Sequence, residues 1–401
     1  MKIKIKKSIA KGRIKAPPSK SYAHRLLIAS ALSNGESQIE GIIDSKDMQA
    51  TLSCLGALGV GYSKKGDDVS VFGGNLKEKF DDFNCLESGS TLRFFIPIAL
   101  ALNDSATFVG TERLMSRGLE VYDEICKNQG IKVTKDKTSI KYEGKLMPDT
   151  FYVRGDISSQ FITGLLFALP MLSDDSKIVV TTKLESEAYV DITIDALKTF
   201  GIEIKRSENE FYIRGNQKYK SQNVTVEGDA SNSAFLDAFN ILGGDVSVLG
   251  LKNDTLQADY IYKKHFKELE KSYKTIDLSN TPDLAPICFA IAASKNGAHF
   301  VGTKRLKIKE SDRAEAMASE LRKLGAEIEV YENEVIINPS ILHAPTEALY
   351  GHNDHRIVMS LAVLLSTLGG TIDGCEAVSK SYPSFFDDIH TLGISFEEVA
   401  E

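Results

Sequence analysis

The chain has 401 residues, 42% of them apolar and 26% charged, and its formal net charge is −7. That length exceeds what one hydrophobic core usually serves, so two globular domains are the starting expectation. The acidic balance argues against a general nucleic-acid binder and means that any anionic ligand is held by locally gathered Lys and Arg.

The first segment, MKIKIKKSIAKGRIKAP, alternates Ile with Lys at a period of two. It reads as a half-buried strand and lacks the continuous apolar stretch of a secretion signal. Six times thereafter a cluster of small or polar residues runs directly into an apolar helical stretch. The six are SKSYAHRLLIASAL, SGSTLRFFIPIALAL, DISSQFITGLLFALPML, DASNSAFLDAFNIL, SNTPDLAPICFAIAAS and NDHRIVMSLAVLLSTL. They recur every roughly 50 to 75 residues, as an internal repeat does. Ser, Asp and Asn at each start cap free backbone N–H groups, and the residues that follow are apolar on more than one face, so six largely buried helices are predicted.

Between them lie Val-, Ile- and Tyr-rich segments such as DDVSVFGG, ATFVG, SKIVVTT, DVSVLG and EIEVYENEVIIN, ended by Gly, Asn or Asp and read as strands. Amphipathic second helices, YVDITIDALKTFGIEI and SDRAEAMASELRKLGAEI, each place a Gly at the helix end before a strand, which supports a duplicated unit. The fold class is therefore α/β or α+β. Residues 161–172, among the most apolar, are too few to cross a bilayer and are interrupted by Gly164 and Pro170.

The five cysteines, Cys54, Cys85, Cys126, Cys288 and Cys375, form no C-x-x-C pair, so buried packing in a reducing cytoplasm is expected rather than a disulfide framework or a zinc site. His352, Asp354 and His355 lack the spacing of a zinc site and read as caps and hydrogen-bonding groups. Neither G-x-x-x-x-G-K-[ST] nor G-x-G-x-x-G occurs, so no nucleotide cofactor is indicated, and no metal.

Repetition alone fits a scaffold as well as an enzyme. The helix starts favour the second. Lys20, Ser21 and Arg25, then Ser88, Gly89, Ser90 and Arg93, then Asn353, Asp354, His355 and Arg356 all fall in first turns. Cations there oppose the helix dipole, an arrangement that makes sense when an anion neutralises both.

The motifs PSKSYAHR, SGSTLR, ERLMSRGL, GDISSQF, LESEAYVDIT, GDAS, TPD, LKIKESDR, NDHR and SKSYPSFF, in this order, resemble those of the EPSP synthase family over essentially the whole chain. Single motifs are weak signals, but the ordered set is specific. The resemblance implies a two-domain inside-out barrel of six βαβαββ repeats with buried helices, the enolpyruvyl transferase type. Residues 1–18 with 228–401 would form one domain and residues 19–227 the other, with the active site in the cleft. It implies transfer of the enolpyruvyl group of phosphoenolpyruvate to the 5-hydroxyl of shikimate 3-phosphate, in the shikimate pathway of aromatic amino acid (chorismate) biosynthesis, by a cytoplasmic monomer without metal or cofactor.

Carried residue by residue, the resemblance assigns phosphoenolpyruvate to Lys20, Gly89, Arg93, Arg117, Gln160, Arg313, Arg356 and Lys380. Shikimate 3-phosphate falls to Lys20, Ser21, Arg25, Ser158, Ser159, Gln160, Ser186, Tyr189, Asp283 and Lys309. Asp283 is the candidate base, with Glu310 and Lys20 as candidates for proton transfer. From local sequence alone, Asp283 reads as a turn residue after Pro282, Glu310 as a solvated charge, Lys20 as a linker lysine and Ser158 and Ser159 as caps.

The second cluster departs from the family's usual NSGTT. Here it reads Glu87, Ser88, Gly89, Ser90, Thr91, which puts a carboxylate near the expected anion site and bears on the response to glyphosate, the inhibitor of that pocket. The related UDP-N-acetylglucosamine enolpyruvyltransferase carries a reactive Cys in the loop matching residues 112–119, where this chain has none. A noncatalytic phospho-ligand sensor on the same fold would have no use for Asp283 and Glu310.

Overall fold

The buried helices begin where a side chain can take over an unpaired backbone N–H. In the computed structural model, which describes residues 1–399, Ser19, Ser88, Ser158, Asp229 and Asp354 each accept a hydrogen bond from an N–H two or three residues on. They open the helices Lys20–Leu32, Gly89–Leu102, Ser159–Ala168, Ala230–Ile241 and His355–Leu368. The helix Ala285–Ser294 begins differently, through the 3-10 turn Pro282–Leu284 and without a side-chain cap. Pro282 and Pro286 have no N–H to cap, and the Asp283 carboxylate is drawn elsewhere, as described below.

The chain divides into two compact units, residues 1–17 with 228 onward, and residues 18–227. Each has its own hydrophobic core built on three of the six helices. In Ala285–Ser294 every residue from Ala285 to Ala293 is buried. The sheets instead alternate buried and exposed residues, as in Lys2–Ile5 and Asp68–Gly73, so each unit is inside out, with helices in the centre and sheets facing solvent.

Five sheets have four strands and share one plan of a parallel pair followed by two antiparallel neighbours. In one, Phe83–Asn84 pairs parallel with Ser105–Val109, which pairs antiparallel with Ser139–Glu143 and so on to Lys132–Lys135. Among the described residues the sixth has only the parallel pair Lys11–Lys15 with Asp245–Leu249, so it lacks the two antiparallel strands that complete the others. The N-terminal segment predicted as a strand is two strands in two sheets. Lys2–Ile5 lies between Gly370–Asp373 and Phe396–Val399, and Lys11–Lys15 joins Asp245–Leu249.

The most extensive helix packing in the unit of residues 18–227 is between Gly89–Leu102 and Ser159–Ala168. Pro97, inside the first helix, cannot donate to the carbonyl of Arg93. The buried Tyr122 hydroxyl lies 2.6 Å from that carbonyl and takes over as donor. Gly164 of the facing helix makes the room, since a Cβ there would meet the Tyr122 hydroxyl, the Arg93 carbonyl and the Pro97 ring. No helix among the described residues is long and apolar enough to cross a membrane.

Candidate active site

In the unit of residues 18–227, two of the three buried helices carry cations near their starts, Lys20 and Arg25 on one and Arg93 on the other. Lys20 Nζ lies 2.8 Å from Asp47 Oδ2. Arg25 is 3% exposed and its Nε donates to Thr193 at 2.8 Å, Nη1 to the Ser21 carbonyl at 2.7 Å and Nη2 to the Tyr189 carbonyl at 3.0 Å. All these acceptors are neutral, and burial pushes the Arg25 guanidinium down to about 10. A buried cation held only by neutral acceptors gains most from a bound anion.

Arg93 is also buried. Its Nη2 donates to the carbonyls of Arg117 and Gly118 at 2.8 and 3.1 Å, and its Nη1 to Gln160 Oε1 at 3.2 Å. Gln160 Nε2 donates in turn to Ser90 Oγ at 2.9 Å, tying two helix starts together. A Cβ on Gly89 would lie 2.8 Å from Nη1 of Arg117 and 2.9 Å from Nη1 of Arg93, so the bare glycine backs onto two guanidinium groups. Ser158 caps its helix through the Gln160 N–H, Ser159 is buried in the first turn, and Glu87 sits in the turn before the Gly89 helix. Ser186 is held at φ 56°, left-handed for a residue with a side chain, just before the helix Glu187–Thr199 that carries Tyr189. Lys20, Ser21, Arg25, Gly89, Arg93, Arg117, Ser158, Ser159, Gln160, Ser186 and Tyr189 all belong to this unit.

Asp283, Lys309, Glu310, Arg313, Arg356 and Lys380 belong to the other, where the first five form a tight ionic cluster. Arg313 is 1% exposed and divides its guanidinium among three carboxylates. Nε meets Asp354 Oδ2 at 2.8 Å, Nη1 meets Asp283 Oδ1 at 2.7 Å, and Nη2 meets Glu310 Oε2 at 2.7 Å. Each terminal nitrogen thus keeps one N–H for a further partner. Arg356 Nη2 reaches Asp283 Oδ2 at 3.1 Å, and Lys309 Nζ lies 3.4 Å from Asp283 Oδ1. Lys380 Nζ donates to the Asn353 carbonyl at 2.7 Å.

Burial works to raise the Asp283 carboxyl, but Arg356, Lys309 and Arg313 outweigh it and hold it well below the usual carboxylate range. Burial lowers Lys309, and Asp283 opposes that shift. Burial also works against the Arg313 charge, yet Asp354, Glu310 and Asp283 keep it firmly protonated. Asp283 and Arg313 are therefore both charged at neutral pH, each compensated by its partners.

Sequence reasoning passed over several participants. Asp47 pairs with Lys20, and Asp354, read as a cap, also anchors Arg313 while accepting from Ser311 Oγ at 3.0 Å. Arg305, 8% exposed, donates to the Ser279 carbonyl, and its charge bears on Lys309. Asp47 stands 27 residues from its partner and Asp354 41, so no local signal marks either pairing. All five cysteines are buried, and among the described residues no group of three or more His, Cys, Asp or Glu is placed to hold a metal.

A family model described as EPSP synthase (3-phosphoshikimate 1-carboxyvinyltransferase) matches residues 5–389. The chain is 42% identical to the 3-phosphoshikimate 1-carboxyvinyltransferase of Clostridium kluyveri over an alignment of 424 positions, covering 99% of this chain and 98% of that one. It is 43% identical to that of Clostridium novyi over 428, with the same coverage. Among solved structures it is similar to the EPSP synthase from Acinetobacter baumannii, with a TM-score of 0.78 at 21% identity over 100% of both chains. It also resembles the enolpyruvyl transferase NikO from Streptomyces tendae, with a TM-score of 0.76 at 14% identity over 99% and 98%. At those identities the structural likeness speaks to the fold.

Proposed function

The chain belongs to the EPSP synthase family, and from that membership we propose that it transfers the enolpyruvyl group of phosphoenolpyruvate to the 5-hydroxyl of shikimate 3-phosphate, releasing phosphate. The observation that carries the reading is the pair of carboxylates, Asp283 and Glu310, held on one buried guanidinium beside two further cations. Two substrates bearing two phosphates and two carboxylates call for that concentration of positive charge, with an acid and a base fixed inside it.

In the addition, the 5-hydroxyl oxygen bonds to C2 of phosphoenolpyruvate, its proton passes to a base, and C3 takes up a proton. In the elimination, C3 gives a proton back, the C2–C3 double bond re-forms, and the C2–O bond breaks to release phosphate. Asp283 is assigned the 5-hydroxyl proton, and Glu310 with Lys20 the protons at C3 and at the departing phosphate. A carboxylate held as low as Asp283 is a poor base while its cations face it undivided. Substrate anions that engage Arg313, Arg356 and Lys309 would share that charge and raise the proton affinity of Asp283, coupling base strength to substrate occupancy.

Phosphoenolpyruvate is assigned to Lys20, Gly89, Arg93, Arg117, Gln160, Arg313, Arg356 and Lys380, and shikimate 3-phosphate to Lys20, Ser21, Arg25, Ser158, Ser159, Gln160, Ser186, Tyr189, Asp283 and Lys309. The five buried thiols fit the reducing cytoplasm that the reading requires.

The test is phosphate release from the two substrates without added metal. Glu310→Gln is expected to lower kcat by about 10² to 10⁴-fold while shikimate 3-phosphate still binds. Wild type that binds both ligands and releases no phosphate, with UDP-N-acetylglucosamine equally inert, would leave a binding protein. Gly89→Ala tests the backing of the anion site. The Arg117 side chain can move aside, but Arg93 is buried and held by the Arg117 and Gly118 carbonyls and Gln160, so the melting temperature should fall as well. The displaced guanidinium should raise the KM for phosphoenolpyruvate about tenfold or more. An unchanged KM would remove Gly89 from the site.

A further inference from the structure

Glu320 lies seven residues beyond Arg313 on the helix Arg313–Lys323, two turns along the same face, and is 1% exposed. A carboxylate buried that deeply is costly unless its oxygens are satisfied. Here Oε2 accepts from the Tyr350 N–H at 2.9 Å, Oε1 from His352 Nε2 at 2.8 Å, and Lys323 Nζ stands 3.0 Å from Oε2. Burial works to raise the Glu320 carboxyl, and these donors prevail and hold it below the usual range.

What Glu320 grips is the segment leading into the helix His355–Leu368. His352 and Asn353 both adopt left-handed backbone, at φ 50° and 51°, two consecutive residues in a conformation that side chains disfavour. Such a pair persists only where the surroundings fix it. Glu320 fixes it from one side and Arg313 from the other, through Asp354. The consequence falls on Asn353, whose carbonyl is turned to receive Lys380 Nζ at 2.7 Å.

We propose that Glu320 is a positioning residue that, through His352 and the Asn353 carbonyl, sets the ammonium group of Lys380 for anion binding. The inference rests on the phosphoenolpyruvate role proposed for Lys380. A mere brace for the fold would protect stability alone, whereas a positioning role must register in one substrate's binding.

Steady-state kinetics separate the two. Glu320→Ala should raise the KM for phosphoenolpyruvate about tenfold and leave that for shikimate 3-phosphate within about twofold. Glu320→Gln can accept from Tyr350 and donate to the other tautomer of His352, so it should stay within about threefold of wild type. His352→Gly, which adopts the left-handed backbone freely but loses the imidazole, should reproduce the alanine effect and serves if Glu320→Ala fails to fold. In a Lys380→Met background, Glu320→Ala should add nothing further, because the route is already cut. A lowered melting temperature with both KM values unchanged, or full additivity with Lys380→Met, overturns the positioning role. Wild type that releases no phosphate from the two substrates counts against the functional reading itself.

Discussion

Asp283→Asn is expected to lower kcat by about 10² to 10⁴-fold, the loss of a positioned proton acceptor. The amide keeps the shape but turns an NH2 group toward either Arg313 or Arg356, two donors facing each other where an ion pair stood. The variant should therefore also lose about 1.5 to 3 kcal/mol of stability at neutral pH, since Arg313 retains Asp354 and Glu310 but Arg356 loses its carboxylate contact. The pH dependence follows from the sign of the shift. The Asp283 carboxyl is depressed in the folded protein, so its stabilisation is fully present above about pH 4, its ordinary range, and is lost as pH falls through the lower folded value. Urea titrations of wild type and variant should differ by a constant amount above about pH 4 and converge below it. A variant turning over within threefold of wild type would remove Asp283 from the proton path.

Gly164→Ala should destabilise by about 1 to 3 kcal/mol or more, since a methyl group there has no room against the Arg93 carbonyl and the Pro97 ring. Backbone stands in the way, so the helices must separate, and Arg93 moves with its helix. Catalysis should suffer alongside stability, through phosphoenolpyruvate binding in particular. Tyr122→Phe reaches the same place by another route, leaving the Arg93 carbonyl without its substitute donor at a cost of about 1 to 3 kcal/mol. Pro97→Ala restores an amide to that carbonyl, so Tyr122→Phe should cost clearly less in the Pro97→Ala background. Urea titration of the four proteins measures the coupling, and an additive result would show that Tyr122 is not replacing the missing helix bond.

Much of the helical framework is legible because five of the six buried helices are mostly apolar runs with a cap residue just ahead of them. Where the cap is missing, at Pro282–Leu284, the sequence still holds polar residues, but Asp283 satisfies guanidinium groups instead of backbone amides. The strands are less legible. Phe83–Asn84 and Leu349–Tyr350 are two residues long, too short for any periodicity, and exist because a neighbouring strand offers hydrogen bonds. The Ile and Lys alternation at the N-terminus runs smoothly through what is a change of sheet, since alternation reports faces and not partners.

For the candidate site, residue types and order emerge from the motifs, but the charge pairing does not. Arg25 and Arg93 read as cations awaiting an anion, yet both already hold backbone carbonyls, so they brace helices as well. That Arg313 serves three carboxylates from three segments, and that Glu320 is buried at all, are products of the folded packing and have no local signature.

The strand Lys2–Ile5 is synthesised long before its two neighbours, Gly370–Asp373 and Phe396–Val399. On the ribosome, at about 5 to 20 residues per second, it waits on the order of 20 to 80 s for them. The unit of residues 18–227 is continuous in sequence and has all its strands by then. The unit of residues 18–227 can thus be finished during translation, while the other stays open until Phe396–Val399 emerges. Ile3 and Ile5, buried in the finished fold, remain exposed for that whole interval, and the lysines that alternate with them keep the waiting edge from pairing with another chain.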